Sequence, residues 1–300
     1  GVPFQYSQLS PAQQIQLDSD ATIAENILNY LRGDTANEVQ NGGGFRNRNS
    51  ILGDIVHSSP TYFDDVLYAG ANDGMLHAFD ALTGQELFAY VPGLVFANLD
   101  DLASAVYSHQ YYVDSTPYLA DTGSATLLVG GLGKGGKGYF CLDVTNAKTM
   151  TSESELAGNV KWEYPNASTP SAESADMGYS FSEAYIVKSN DTAHPWVAVF
   201  GNGYASTNEH AVLFVLDAFT GVKIAQIDTG VGSCNGLSTP IPVDVNLDGK
   251  MDYVYAGDLK GNLWKFDVTA SSASSWASAF GSQPLFQARD GAGADQPITT

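Results

Sequence analysis

Short apolar stretches separated by turns rich in glycine, asparagine and aspartate run through the chain from about residue 55 onward. The stretches are rich in β-branched and aromatic residues, and several finish on an aspartate, which is typical of strands joined in antiparallel meanders. One order of strand and turn recurs four times, although the copies differ in length. The aspartates that close the last clear strand of each copy are Asp80, Asp143, Asp217 and Asp267. Such a repeat predicts the blades of a β-propeller, with about four strands in each.

We therefore expect an all-β fold, a modified β-propeller preceded by a short helical segment. The lead-in segment is predicted over residues 1–50 and the propeller region over 51–300. The four blades are predicted over 55–97, 113–170, 178–230 and 237–290. Residues 295–300 resemble the strand openings of the earlier copies and indicate the start of a further blade. Because an open ring leaves unpaired strand edges, we expect the natural chain to continue with the blades that close it.

The first fifty residues carry a helical pattern instead. Ser10, followed by proline, predicts the N-cap of a short first helix. Asp20 opens a second helix, and Gly33 stops it. The apolar stripe of this second helix is predicted to contain Ile23, Ile27, Leu28 and Leu31. Arg46 and Arg48 follow a glycine-rich link, and we expect them to pair with acids at the surface.

Composition and charge narrow the classes of partner. The chain of 300 residues is 44% hydrophobic and contains 31 glycines, which suits a large core in an all-β repeat protein. A net charge of −20 argues against nucleic acid or an anionic membrane surface as partners, because 33 acids would repel phosphate.

No apolar run is long enough to span a membrane and no signal peptide is present, so we expect a soluble chain that begins downstream of any targeting segment. Cys141 and Cys234 allow one disulfide, but the sequence does not show whether they meet.

In the fourth copy, the apolar pattern predicts strands at 237–243 and 253–256, followed by a hairpin turn at 257–262. The nine residues between these two strands, 244–252, have the spacing of a calcium loop. Oxygen donors fall at alternate positions, and Gly249 stands where the chain must turn sharply, as in the opening of an EF-hand loop. The predicted Ca²⁺ ligands are Asp244, Asn246, Asp248, the backbone carbonyl of Lys250, and Asp252. Tyr255 replaces the final glutamate of an EF-hand, so no pair of flanking helices is implied. The alternative is a polar turn between two strands, but a turn has no need of three acids at fixed spacing.

No catalytic constellation is evident. Gly131–Gly136 fits the dinucleotide-binding pattern G-x-G-x-x-G and nearly fits a P-loop, but both motifs need a helix directly afterwards. The continuation has the pattern of a strand, so we interpret this stretch as a hairpin turn. The five histidines are scattered, without metal spacing such as H-E-x-x-H, and no cysteine stands beside a candidate base. We predict a protein that is not an enzyme.

Several long motifs resemble the PilY/PilC family of type IV pilus tip proteins. The similarity runs from about residue 6 to the end of the chain. The stretches that carry it are Phe45–Arg48 with Leu52–Pro60, Tyr68–Asp80, Leu128–Phe140, Gly201–Tyr204 and Asn235–Asp267. The large variable N-terminal region of that family, which is adhesive and confers surface specificity, is not among these 300 residues.

This resemblance implies a function as well as a fold. It implies a modified propeller that is exported through the periplasm and works outside the cell, at the pilus tip or the outer cell surface. It also implies minor pilins as partners, adhesion to host or abiotic surfaces, and calcium-linked control of pilus extension and retraction in twitching motility. The family's calcium ligands correspond to the five residues of the 244–252 loop named above.

Two alternatives come from other classes of propeller. Ala78–Gly84 and Val215–Gly221 are similar to the blade motif of PQQ-type quinoprotein dehydrogenases, so the blades are quinoprotein-like. However, Phe88 and Ala225 replace the docking tryptophan of that motif. Those enzymes also have two adjacent cysteines near the cofactor, whereas Cys141 and Cys234 are far apart in the sequence. An integrin-α-like adhesion propeller uses the same acidic loop but repeats it in several blades, whereas this chain has it once.

Overall fold

The computed structural model describes residues 1–299, and its strands form four antiparallel sheets. The strands are β1 Thr61–Phe63, β2 Val66–Gly70, β3 Leu76–Asp80, β4 Glu86–Tyr90, β5 Tyr118–Asp121, β6 Thr126–Gly131, β7 Tyr139–Asp143, β8 Val160–Tyr164, β9 Tyr185–Lys188, β10 Trp196–Gly201, β11 Val212–Asp217, β12 Lys223–Asp228, β13 Ile241–Val243, β14 Tyr253–Gly257, β15 Asn262–Asp267, β16 Ala277–Ser278 and β17 Phe286–Gln287. Each sheet is a meander in chain order, β1 to β4, β5 to β8, β9 to β12 and β13 to β16, and β17 also pairs with β15. The predicted all-β class is confirmed, and the sheets have four, four, four and five strands, close to the predicted four in each blade.

Helices are few and short. The α-helices are α1 Pro11–Leu17, α2 Ala21–Leu31, α3 Glu153–Asn159 and α4 Ser171–Ser174. Short 3₁₀-helices lie at Tyr6–Gln8, Val39–Asn41, Gly93–Asn98, Asp100–Ala103, Gly133–Gly135, Ala147–Thr149 and Ala273–Ser275. Residues 295–299, where a further blade was predicted to begin, contain no strand, and Thr300 lies outside the described residues.

Both N-terminal helices begin where the sequence predicted, and the second also ends there. The Ser10 hydroxyl accepts from the Gln13 N–H, and the Gln13 side chain accepts from the Ser10 N–H, which completes a capping box. Asp20 caps α2, and Gly33 adopts φ +104° just after it. One member of the predicted apolar stripe was wrong, because Ile23 is 42% exposed while the other three residues are buried.

The predicted surface pairing of the arginines was wrong for Arg48. Its guanidinium donates to the Glu38 carboxylate at 2.9 Å, and the side chain of Glu38 is fully buried. The same guanidinium donates to the Tyr30 carbonyl and lies 3.5 Å from the centroid of the Tyr30 ring. Hydrogen bonding to Arg48 lowers the pKa of Glu38. Arg46 lies over the Tyr107 ring at 4.0 Å.

The chain forms two compact units. Residues 1–114 and 146–160 make up the first, and residues 115–145 with 161–299 make up the second. In the second unit, buried side chains from neighbouring sheets form two apolar clusters. Tyr139 and Phe200 stack at 4.0 Å in one of them. Cys141 is buried in that cluster whereas Cys234 is exposed, so the disulfide that the sequence left open does not form.

The second strand of every sheet ends on a glycine that packs against the backbone of a segment later in the chain. The four glycines and their neighbours are Gly70 with Val113, Gly131 with Ser180, Gly201 with Leu237 and Ser238, and Gly257 with Ile298. A methyl group added at any of them except Gly131 would overlap the facing backbone carbonyl. Gly70, Gly201 and Gly257 therefore need glycine for space.

The buried pairing of His77 with two acids predicts that the stability of the first unit depends on pH. Burial alone would lower its pKa, but hydrogen bonds to Asp73 and Glu86 outweigh burial and raise the pKa to about 9. Because the folded pKa exceeds the unfolded one, this stabilisation is complete below about pH 6.5 and is lost as the pH rises through 9. We expect His77→Gln to reduce the unfolding free energy by about 1–2 kcal/mol at pH 6 and by much less at pH 10. Urea denaturation at both pH values measures this, and an equal loss at both would contradict it.

Candidate calcium loop

The predicted calcium loop connects β13 to β14, in the fourth sheet. The strand before it is shorter than the 237–243 stretch that the pattern suggested. Only Ile241–Val243 pairs with β14, while Leu237 makes an isolated bridge to Asp258. Pro240 and Pro242 have no amide hydrogen to donate, which limits the ladder here. The strand after the loop, Tyr253–Gly257, agrees with the sequence pattern to within one residue.

Asp244 closes the loop from its first position. One carboxylate oxygen accepts from the Leu247 N–H at 2.6 Å, and the other accepts from the Gly249 N–H at 2.7 Å. Gly249 has φ +86°, which confirms the sharp turn predicted at this position. Leu247 also has a positive φ of 65°, and its side chain is 86% exposed. A single acid therefore holds the loop in a closed curve.

The next two predicted ligands, Asn246 and Asp248, each accept a hydrogen bond within a local turn. The Asn246 side-chain oxygen accepts from the Asp248 N–H, and the Asp248 carboxylate accepts from the Lys250 N–H, both at 2.9 Å. Both bonds span two residues, as in Asx turns. The side chain of Lys250 is exposed. The predicted Ca²⁺ ligand at this position is the backbone carbonyl oxygen, which the side chain does not supply.

Asp252 forms the buried base of the loop. It is only 4% exposed, and one of its carboxylate oxygens accepts from the N–H groups of Val245 and Asn246 at 2.9 and 3.2 Å. Its own N–H donates to the Val243 carbonyl, and its carbonyl accepts from the Val268 N–H. These backbone bonds fix Asp252 to the sheet, so the most buried predicted ligand is also the most firmly held.

The donor set fits a hard cation. All five predicted ligands are oxygens, and a carboxylate oxygen that accepts one N–H retains capacity for a second partner. Across residues 1–299, however, no three side chains of His, Cys, Asp or Glu come together as a group that could hold a metal. The structure places all five residues in one loop but does not converge the three carboxylates, so this ligand set stays a prediction.

The other candidate motifs are the glycine-rich stretch at 131–136 and the five histidines. A strand, β7, follows the glycine-rich stretch at 131–136, as expected for a hairpin and not for a P-loop. All five histidines bond to acids near them: His57 to Asp114, His77 to Asp73 and Glu86, His109 to Asp54, His194 to Asp191, and His210 to Asp228. The sequence pattern did not indicate these pairs, since Asp114, Glu86, Asp54 and Asp228 lie between 9 and 57 residues from their histidines.

Comparison with known proteins assigns the chain to a family. The family model of the PilY1 beta-propeller domain matches residues 54–300. The chain is 39% identical over 99% of its length to the type IV pilus biogenesis factor PilY1 of Pseudomonas aeruginosa strain PAK. It is 36% identical over 94% of its length to a PilY1 homolog of Xylella fastidiosa strain Temecula1. The chain therefore belongs to the PilY1 beta-propeller family.

A solved structure supports the assignment. The C-terminal domain of Pseudomonas aeruginosa PilY1 matches with a TM-score of 0.63 and 38% identity, over 78% of this chain and 48% of that one. The chain spans 29% of the length of the Pseudomonas relative and 22% of the Xylella relative. Among residues 1–299, no helix is both long and apolar enough to cross a membrane.

Proposed function

We propose that this chain is the propeller region of a type IV pilus biogenesis factor and that it acts by binding other pilus components, without catalysis. The observation that carries the proposal is the 39% identity over 99% of the chain to a protein named as such a factor. Because the chain covers 29% of that relative, the proposal concerns the part that a propeller plays within a larger protein.

The finer proposal places this propeller outside the cell, at the pilus tip or the outer surface. There it contacts minor pilins, supports adhesion to host or abiotic surfaces, and influences extension and retraction. The net charge of −20 supports this setting, because it favours solubility and disfavours binding to nucleic acid.

A segment exchange tests the pilus role. The corresponding propeller segment of the Pseudomonas PilY1 would be replaced by residues 54–300 of this chain, in a strain that lacks its own copy. We expect surface pili and twitching to be restored to at least about a third of the wild-type level. A stably produced chimera that restores neither would refute the proposal. Mixing the isolated chain with pyrroloquinoline quinone tests the alternative of a quinoprotein dehydrogenase. We expect no bound chromophore, and a bound chromophore would favour the enzyme.

We also propose that the 244–252 loop binds one Ca²⁺ through Asp244, Asn246, Asp248, the carbonyl of Lys250, and Asp252. Calcium would supply positive charge between carboxylates that otherwise repel one another. Fixed backbone at Asp252 and the turn at Gly249 support this, because they reduce the ordering that binding requires. The missing bidentate glutamate favours the weaker half of the known range, with a Kd between about 10⁻⁶ and 10⁻³ M.

Calorimetry on chelator-treated protein tests the calcium site. We expect one site in the wild type and at least about a tenfold weaker affinity in Asp248→Ala, because one of three carboxylates is lost. Asp290→Ala is the matched control, since Asp290 is also an exposed loop acid that accepts from nearby N–H groups. Equal heats from the wild type and Asp248→Ala would exclude this assignment, and so would the same loss in Asp290→Ala.

A further inference from the structure

Three aromatic side chains and a lysine form an exposed surface, which we name the aromatic platform: Tyr179, Phe181, Tyr204 and Lys137. Tyr179 is 39% exposed and Phe181 is 44% exposed. The ring of Phe181 lies 6.5 Å from that of Tyr179 and 5.7 Å from that of Tyr204, measured between centroids. The Lys137 ammonium lies 5.4 Å from the Tyr179 ring centroid. All four residues belong to the second compact unit.

Buried serines hold the two exposed rings in place. Ser180 and Ser182 are almost fully buried and alternate with Tyr179 and Phe181 along the chain. The Ser180 hydroxyl accepts from the Leu132 N–H at 2.9 Å, and the Ser182 hydroxyl accepts from the Gly201 N–H at the same distance. These bonds fix the chain on either side of Phe181, whose ring lies at the surface.

The backbone beneath the platform is also fixed. Tyr179 and Tyr204 form an isolated antiparallel bridge, in which the Tyr179 N–H donates to the Tyr204 carbonyl at 2.7 Å. Gly203 packs so closely on the Tyr179 carbonyl that an added methyl group would overlap it. Exposed aromatic rings on a rigid backbone lose little conformational entropy on binding, which is the usual property of anchor residues in interfaces.

The charge beside the rings selects the partner. Lys134 and Lys137 are both exposed in the glycine-rich turn, in a chain with only 13 basic residues against 33 acidic ones. The carbonyl of Ala205 accepts from the Lys137 ammonium at 2.6 Å and keeps this charge at the edge of the rings. A ligand that uses both features needs a carboxylate next to an apolar group.

We propose that the aromatic platform binds a short acidic peptide segment of a partner protein, with an aromatic or aliphatic side chain beside the carboxylate. The apolar side chain packs on Tyr179 and Phe181, and the carboxylate approaches the lysines. A neutral glycan would use the rings but not the lysines. A nucleic acid would bring a long run of phosphates to a chain with a net charge of −20, whereas a short peptide segment brings only a few carboxylates. This site is separate from the calcium loop and does not depend on it.

Selection from a random dodecapeptide library displayed on phage tests the platform. The intact chain is compared with Tyr179→Ser/Phe181→Ser and with the matched control Phe280→Ser/Leu285→Ser, which removes two other exposed apolar side chains of 52% and 45% exposure. We expect wild type and control to enrich peptides with more Asp and Glu than Lys and Arg, each with an aromatic or aliphatic residue. The platform variant should not enrich them. Circular dichroism verifies that both double variants remain folded.

Titration of the most enriched peptide completes the test. We expect the platform variant to bind at least about tenfold more weakly than wild type. Lys137→Glu should bind several-fold more weakly, and raising the salt from about 0.05 to about 0.5 M should weaken wild-type binding. Failure to enrich peptides, enrichment of basic peptides, or equal binding by the platform variant would each overturn the proposal. Displacement of the peptide by chitohexaose would assign the platform to glycans instead and overturn it too.

Discussion

Replacing Asp258 with alanine is expected to lower the free energy of unfolding by about 3–5 kcal/mol. Asp258 follows β14 directly and is fully buried. One carboxylate oxygen accepts from the N–H groups of Lys260 and Asn262, both at 2.9 Å. The other accepts from the side chains of Asn235, Asn262 and Trp264 at 2.9–3.0 Å. Alanine would leave these donors buried without an acceptor, and each unmatched donor costs free energy.

A conservative variant and a control make this prediction specific. Asp258→Asn should cost less than alanine but still destabilise, because its amide would face donors with a group that cannot accept. Asp290→Ala, at an exposed loop acid, should change stability by less than about 1 kcal/mol. Urea denaturation of the three variants measures these differences. A loss below about 1 kcal/mol in Asp258→Ala would show that the network contributes little.

The blades could be predicted because their information is local. Each strand is a short β-branched or aromatic run, and each turn has residues that favour turns, so the pattern alone separates them. The caps at Ser10 and Asp20 were equally local, since the bonds that cap a helix lie within three residues. The strand before the calcium loop was overestimated, because the ladder begins only after Pro240, which has no amide hydrogen to donate.

The buried polar contacts could not be predicted in this way. Arg48 pairs with Glu38 across ten residues, and Asp258 receives a bond from Asn235 across 23 residues. No periodic pattern links such positions, because tertiary packing brings them together. The sequence pattern at 257–262 indicated only a hairpin turn, and nothing in it marked Asp258 as buried.

The calcium loop falls between these two cases. Spacing alone places five oxygen donors in one loop and requires a sharp turn at Gly249, which the structure has. The directions of the carboxylates are not local, because N–H groups of the loop compete with a cation for the same oxygens. Asp244 accepts two such bonds and Asp252 accepts bonds from two N–H groups, so spacing cannot decide how the carboxylates converge.

Gly201→Ala is expected to destabilise the protein by about 3 kcal/mol, although it adds only one methyl group. Gly201 ends β10, and the added carbon would overlap the carbonyl oxygens of Leu237 and Ser238. This facing backbone cannot easily withdraw. The Leu237 N–H donates to the Asn202 side chain at 2.9 Å, and the Ser238 N–H donates to the Gly257 carbonyl at 2.9 Å. Relief of the overlap would therefore break hydrogen bonds in two neighbouring sheets.

Gly158→Ala is the matched control for this substitution. Gly158 lies in α3, is exposed, and has no neighbouring atom within 4 Å of an added methyl group. Alanine at this position should stabilise the protein by about 0.5–1 kcal/mol, because an unfolded chain with alanine has less conformational entropy to lose when the helix forms. Thermal and urea denaturation of both variants compare a crowded glycine with an open one. Similar shifts in both variants would mean that close packing at Gly201 does not control stability, because only that variant introduces an overlap with pinned backbone.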